Sequence, residues 1–314
     1  MNPWQKGCLY PNKDLAAVGL VFKVLQAIMG IESRELLDFL DLVCIGTVAD
    51  VASLRGENRI LVKHGLKTLI GTRRKGLIEL CRAASLKLEN ITVRKIAFVL
   101  GPRLNAAGRI DSAEDAFSLL ITDDSAEAQR LALKLDQANK KRRRIEADIL
   151  KEADLAVDKE IDFSREKIII IKGKSWHPGV LGIVASKLAD KYYRPSIVFS
   201  ELDGMLKGSG RSIPDFNIFQ AVSICCDDLE EFGGHAAACG VTLKAENWDR
   251  FKDKMSKHSQ ELLEGVSLVP KLFLDCELDF NQISENLFRD LELLEPFGAE
   301  NPEPLFITCL LYTS

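Results

Sequence analysis

From residue 112 to residue 159 the chain holds neither proline nor glycine and is rich in Ala, Leu, Glu, Lys, Asp and Arg. Such a composition favours helix. Within it, Lys140-Lys-Arg-Arg-Arg144 sets five charges in a row. On a helix, at 100° per residue, they point in nearly every direction. A helix charged all round cannot be packed all round, so this one is expected to bridge two bodies across solvent. Ser112 with Glu114 or Asp115 suits the start of one segment, and Thr122-Asp-Asp-Ser125 the start of a second. The basic run fits either a solvated helix surface or contact with a nucleic-acid backbone.

Both flanks mix helical and extended patterns. Before the long helix, Leu15, Val18, Phe22, Leu25 and Ile28 form a helical stripe that Asn12 or Asp14 can start and Gly30 can close. A short helix is expected over 35–40, then a buried strand over 42–45 ending in Gly46-Thr-Val-Ala-Asp50. Helices are expected over 58–70 and 76–83, and a helix or strand over 92–100. After the long helix, strands are expected over 167–171, 195–199, 236–243 and 271–275. Helices are expected over 180–191, 217–231 (ending at Gly233-Gly234), 248–263 and 283–294. Helices alternating with short apolar strands indicate parallel α/β sheets. The fold class is therefore read as α/β, with two α/β domains joined by the long helix.

At 314 residues the chain is long enough for two domains, and 46% hydrophobic with 28% charged residues suits a globular protein. No apolar run is long enough to span a bilayer, and no basic-then-apolar leader opens the chain, so a cytoplasmic protein is expected, with no membrane partner. The eight cysteines form no C-x-x-C pair and several sit in apolar runs, which indicates buried free thiols. With a net charge of −4, positive charge for a nucleic acid would have to be gathered in a groove.

Three islands of glycine and basic residues point to a phosphate-bearing ligand. They are Gly101-Pro-Arg-Leu-Asn-Ala-Ala-Gly-Arg109, Lys207-Gly-Ser-Gly-Arg-Ser212 and Phe232-Gly-Gly-His-Ala-Ala-Ala-Cys-Gly240. In the first, small residues between Asn105 and Arg109 let backbone approach a ligand, and two guanidinium groups suit phosphate oxygens. Arg109 reads as a ligand contact, while Arg103 fits ligand contact and a structural ion pair equally. In the second, Ser209, Gly210 and Arg211 offer a hydroxyl, a flexible backbone and a fork of donors, or else a glycine-rich hairpin. In the third, Gly233 and Gly234 end a helix, and His235 either donates to a phosphate, stacks on a base or caps the turn. His177, near a strand end, is placed to line the same cleft. Asp50, just past a buried strand, suits a hard divalent cation or the cap of the next turn.

Taken in order, these motifs resemble the RecJ family of single-strand-specific 5′-exonucleases in the DHH phosphoesterase superfamily. The resemblance runs through Asn2-Pro3 to Pro11, Gly46–Asp50, Glu57-Asn-Arg-Ile60, Gly101–Arg109, His177-Pro-Gly-Val180, Ser209-Gly-Arg211, Phe232–His235 and Phe297–Pro304. It implies residues 1–111 as the C-terminal part of the DHH catalytic domain and 112–160 as a connecting helix. It further implies 161–266 as the DHH-associated domain and 267–314 as the start of an OB-type domain. Asp50 matches a ligand of a two-metal Mn²⁺ or Mg²⁺ site, and Asn105 and Arg109 match a motif beside the scissile phosphate. Ser209, Arg211 and the Gly-Gly-His segment match the part that grips the DNA backbone.

The implied function is metal-dependent 5′-to-3′ hydrolysis of single-stranded DNA in repair and recombination. The implied partners are single-stranded DNA and a helicase or single-strand-binding protein, with the chain a monomer. The family's Asp-x-Asp pair, further Asp and Asp-His-His triplet are not in this sequence. An internal fragment with an incomplete metal site and no appreciable Mn²⁺-dependent nuclease activity is therefore expected. The competing readings are a non-catalytic nucleic-acid-binding scaffold of the same superfamily and a nano-RNA or cyclic-dinucleotide phosphodiesterase. Cys309–Ser314 reads as either native sequence or a foreign scar.

Overall fold

The structure, a computed structural model, describes residues 2–110 and 112–308, with Ile110 described by its backbone alone. The reading of Cys309–Ser314 lies outside the described residues. The chain divides into two compact units. One comprises the residues up to Asn139 together with those from Leu272 onward; the other runs from Lys140 to Lys271.

The first unit is built on helices: α1 Ala17–Met29, α2 Leu40–Ala49, α3 Gly56–Ile70 and α4 Lys75–Ala83. A single turn α5 (Val93–Lys95) runs through a π-helical turn, Ile96–Leu100, into α6 Gly101–Ile110. Next come α7 Glu114–Ile121 and the first part of α8 Ser125–Glu160. Among the described residues up to Glu160 none is in a strand. The strand expected over 42–45 is instead the middle of α2, of whose ten residues seven are buried. A helix apolar all round lacks the 3.6-residue period and reads like a buried strand. Gly65 lets α3 cross it closely, since an added Cβ would stand 2.3 Å from the Leu40 carbonyl oxygen. The core gathers Cys44, Val48, Val62, Leu80, Leu100 and Leu119 with Leu131 and Leu135 of α8.

The two helical segments expected from 112 onward are α7 and α8. Asp124 caps α8 by accepting from the Glu127 N–H at 2.8 Å, a bond that holds its carboxyl below the usual range. α8 is not packed all round, and it gives part of its surface to the core of each unit. Ala128, Leu131, Ala132 and Leu135 are buried in the first unit, and Ile149, Ala153 and Val157 in the second. Lys140, Lys141, Arg143 and Arg144 are exposed, while Arg142 turns inward to Glu146 at 2.8 Å.

The second unit holds a five-stranded sheet of order β1-β2-β3-β5-β4. Its elements in chain order are β1 Ile169–Lys174, α9 Pro178–Tyr192, β2 Ser196–Leu202, β3 Met205–Arg211, α10 Ile218–Ser223, β4 Glu231–His235, β5 Ala238–Lys244 and α11 Trp248–Leu262. Only β1 and β2 pair in parallel, joined through α9; the other neighbours are antiparallel. The runs of Ile in β1 and Ile197-Val-Phe199 in β2 are buried on both faces. One face lies under α9 and the second part of α8, with Ile169, Ile171 and Val198 in that core. The other lies under α10 and α11 around Phe199, Trp248, Phe251 and Met255. The helix expected over 217–231 is only α10, so Gly233 and Gly234 do not end a helix. They lie in the edge strand β4.

After Lys271 the chain adds to the first unit the short strands β6 Cys276–Glu277 and β7 Phe306–Ile307, paired in parallel, and α12 Glu285–Glu292. The segment between α12 and β7 docks on α3 and the turn before it. Arg59 Nη2 donates to the carbonyls of Leu293 (2.7 Å) and Glu295 (3.0 Å), and the Leu54 N–H donates to Ala299 at 2.8 Å.

Candidate functional site

In the first unit Asp50 does not follow a strand; it caps the C-terminus of α2. The next residue, Val51, sits at φ 55°, and the Val51 and Ala52 N–H groups return to the carbonyls of Val48 and Thr47. That is a Schellman ending with valine in the place glycine usually takes. A β-branched residue in this region is strained, and such strain collects at functional positions. Gly101 permits α6 to pack on the end of α2: an added Cβ would lie 3.2 Å from the Ala49 Cβ. As a result Asp50 and Asn105 line one cavity of about 450 Å³ with Gly46, Ala49 and Leu104.

Asn105 and Arg109, one helical turn apart on α6, are both exposed on one side of it. Ala106 and Ala107 between them are buried. The first island is thus helical, and Ala106 and Ala107 serve packing against the core instead of close approach to a ligand. Arg103 takes the structural alternative. Its Nε and Nη2 donate to Asp136 Oδ1, each at 2.9 Å, and Nη1 donates to the Val99 carbonyl at 2.8 Å.

In the second unit Ser209 and Arg211 alternate along β3 and share a face. Arg211 Nη1 donates to the Gly210 carbonyl at 2.8 Å and reaches Ser209 Oγ at 3.4 Å. Both side chains lie against Gly182 of α9, where an added Cβ would stand 2.9 Å from Arg211 Nη2 and 3.0 Å from Ser209 Oγ. Gly210 faces the other way. A Cβ there would meet Cys239 Sγ at 2.6 Å and Ile218 Cδ1 at 2.8 Å, so this glycine serves the core and not an anion.

Across the sheet, Arg211 stands opposite Ala238, which stands opposite His235; Ser209 stands opposite Gly240, which stands opposite Gly233. Residues in such rows point to one face. Over β4 and β5 that face is open, and a Cβ on Gly233 or Gly240 would meet nothing within 4 Å. Gly234 points to the other face at φ 147°, where a Cβ would strike the Ala238 carbonyl oxygen at 2.2 Å; it serves the hairpin. His177 is the N-cap of α9, its Nδ1 accepting from the Gly179 N–H at 3.1 Å, which leaves the ring proton on Nε2. The structure thus joins Ser209, Arg211, Gly233 and His235 on one sheet face and pairs Asp50 with Asn105. Gly182 and Gly240 are the additions that sequence reasoning missed. Gly182 gives no local signal inside an apolar helix, whereas Gly240 closes the third island.

The family model for the DHHA1 domain matches residues 165–261, and that for the RecJ OB domain matches residues 274–312. The fold and the sheet-face site therefore define a DHHA1-domain protein. The chain is 40% identical over 306 residues to the single-stranded-DNA-specific exonuclease RecJ of Bacillus subtilis, covering 97% of this chain and 38% of that protein. It is 35% identical over 327 residues to the RecJ of Dickeya dadantii, covering 98% of this chain and 57% of that protein. The crystal structure of Thermus thermophilus RecJ in complex with Mg²⁺ superposes with a TM-score of 0.80 at 33% identity, over 92% of this chain and 44% of that one. A structure of exonuclease RecJ bound to manganese matches with a TM-score of 0.64 at 33% identity, over 80% of this chain and 62% of that one. The chain belongs to the RecJ family. It spans about two fifths to three fifths of the length of these relatives.

Those neighbours hold Mg²⁺ or Mn²⁺. A hard divalent cation takes about six oxygen ligands. Among the described residues no three His, Cys, Asp or Glu side chains gather for a metal ion, and Asp50 brings the one carboxylate to its cavity. These residues do not by themselves fit a two-ion centre. Among the described residues, no helix is long and apolar enough to cross a membrane.

Proposed function

We propose that this chain is part of an exonuclease that hydrolyses single-stranded DNA from its 5′ end, and that its second unit holds the sugar-phosphate backbone. The observation that carries this reading is the convergence of Ser209 and Arg211 over Gly182, beside an open, glycine-floored sheet face. A hydroxyl and a guanidinium on a rigid strand suit non-bridging phosphate oxygens, the forked donor more so than a lysine would. His235, in the same row as Arg211, adds an imidazole at the far edge, and His177 keeps an Nε2 donor at the start of α9. None of these groups needs a base edge, which suits an enzyme that tracks a backbone whatever its sequence. The relatives' names supply the substrate class, and the domain division follows the same reading, with 161–266 as the DHH-associated, substrate-holding part.

In the first unit we assign Asp50 one carboxylate of a Mn²⁺ or Mg²⁺ centre and Asn105 and Arg109 the scissile phosphate. Asp50 is exposed at a helix end, where the helix dipole disfavours an anion, and next to a strained turn. An anion placed against the helix dipole, beside a strained Val51, suits a position held for a ligand. A helicase or single-strand-binding protein remains the proposed source of substrate. The test is Arg211→Ala in this chain. Affinity for a single-stranded oligonucleotide is expected to fall, and the slope of log affinity against log salt to flatten by about 0.7 for each phosphate no longer neutralised. An unchanged affinity and slope would remove Arg211 from the interface.

A further inference from the structure

We propose that Lys207 and Thr242 form a second phosphate subsite beside Ser209 and Arg211, taking the adjoining phosphodiester of the same strand as it passes over Gly240 and Gly233. The inference rests on the backbone-holding reading above.

Lys207 lies two residues before Ser209 on β3, so Lys207, Ser209 and Arg211 project from one face at intervals of about 6.6 Å. A stretched single strand presents its phosphates at a repeat of that order. Across the sheet Lys207 stands opposite Thr242, which stands opposite Glu231. Lys207, Thr242 and Glu231 line, with Gly233 and Gly240, an open cavity of about 600 Å³. Lys207 is exposed, and among the described residues its side chain makes no hydrogen bond or ion pair. Its nearest anion in the row is Glu231, two strands away. An ammonium and a hydroxyl side by side can thus take a phosphate without first breaking a bond.

The floor beside them argues for a ligand rather than for a merely solvated lysine. Glycine in a strand interior costs stability, and it is kept where a bulge, a positive φ or a close approach needs it. Gly234, Gly208 and Gly210 each have such a reason, because a Cβ would strike backbone, the Phe199 ring or the core. Gly233 and Gly240 have none: neither has a positive φ, and an added Cβ would meet nothing within 4 Å. The fold does not need these two faces bare. A sugar lying flat beside the phosphate contacts does, and the bare stretch runs along the Ser209 row, next to the row of Lys207 and Thr242.

Lys207→Ala, Gly240→Ala and Glu231→Gln test the proposal, with Arg211→Ala as the reference and thermal melting to confirm folding. The probe is an oligothymidylate of about a dozen nucleotides, within the footprint of a single-strand platform. Lys207→Ala is expected to weaken binding severalfold and lower the salt slope by about 0.7, one phosphate's worth on a single strand. Gly240→Ala is expected to weaken binding with the slope kept and the melting temperature the same or slightly higher, since it adds bulk, removes no charge and replaces a strand glycine. Glu231→Gln is expected to tighten binding. A Lys207→Ala slope equal to that of the parent, while Arg211→Ala flattens it, overturns the second subsite alone. A slope unmoved by both overturns the reading beneath it.

Discussion

At the scale of the residue, the site turns on one hydrogen atom. Gly182 sits inside α9, where alanine would be the better helix former by about 0.5–1 kcal/mol. Glycine is nonetheless present, and its missing Cβ is the space that Arg211 and Ser209 occupy, at 2.9 and 3.0 Å. The far end of an arginine yields easily, so Gly182→Ala is expected to fold and to melt at the same or a slightly higher temperature. The displaced guanidinium would no longer lie beside Ser209, and affinity for a single-stranded oligonucleotide should fall severalfold. Such a split between raised stability and lowered affinity marks a positioning residue. Unaltered affinity with a raised melting temperature would show that Arg211 finds its place without the helix. None of this was legible in the sequence, where Gly182 reads as a minor flaw in an apolar helix.

Among the elements, legibility followed periodicity. β1 and β2 are apolar runs of strand length, and α9 and α11 carry a helical stripe, so all four were readable. Lys207 to Arg211 alternates side chain and glycine with a period of two, and β3 shows why: the glycines face Phe199 and Cys239 while the side chains take the opposite face. β4 has no such pattern because it is an edge with every residue exposed, and its Gly-Gly imitates a helix end. α2 and α6 misled for opposite reasons, α2 by being buried nearly all round and α6 by packing with alanines where close approach to a ligand was expected. Within α6, Arg103 separates from its neighbours. Its ion pair with Asp136 of α8 is largely buried, and breaking such a pair costs about 3 kcal/mol. Arg103→Ala should therefore lower the denaturant midpoint of the first unit and leave the salt slope for single strands as it was. A flattened slope with unchanged stability would return Arg103 to the DNA.

On the scale of the whole molecule, the chain leaves the first unit at Asn139 and comes back to it at Leu272. Sequence order hides this return, because the contacts that make it look like surface residues. Arg59 reads as an exposed helical arginine, yet its Nη2 is held by two carbonyl groups that follow α12. Asn301 Nδ2 gathers the Leu294 and Pro296 carbonyls of the same turn, and Arg55 Nε donates to the Glu300 carbonyl at 2.9 Å. The apolar burial that accompanies these bonds is confined to the turn, where Pro296 is buried and Gly298 lies under Leu54, while Leu293, Leu294 and Phe288 remain exposed. Beyond that small contact, attachment of the 272–308 segment depends on a few hydrogen bonds, those from charged groups worth about 1.5–3 kcal/mol each. Arg59→Ala removes two of them together. The segment should then exchange its amide protons faster, at Gly298 and Asn301 above all, and be cut sooner by protease. The sheet of the second unit should keep its protection, since none of its bonds changes. Equal protection of Gly298 in the variant and the parent would mean that the Leu54 contact and the Arg55 bond suffice, and that Arg59 only decorates the joint.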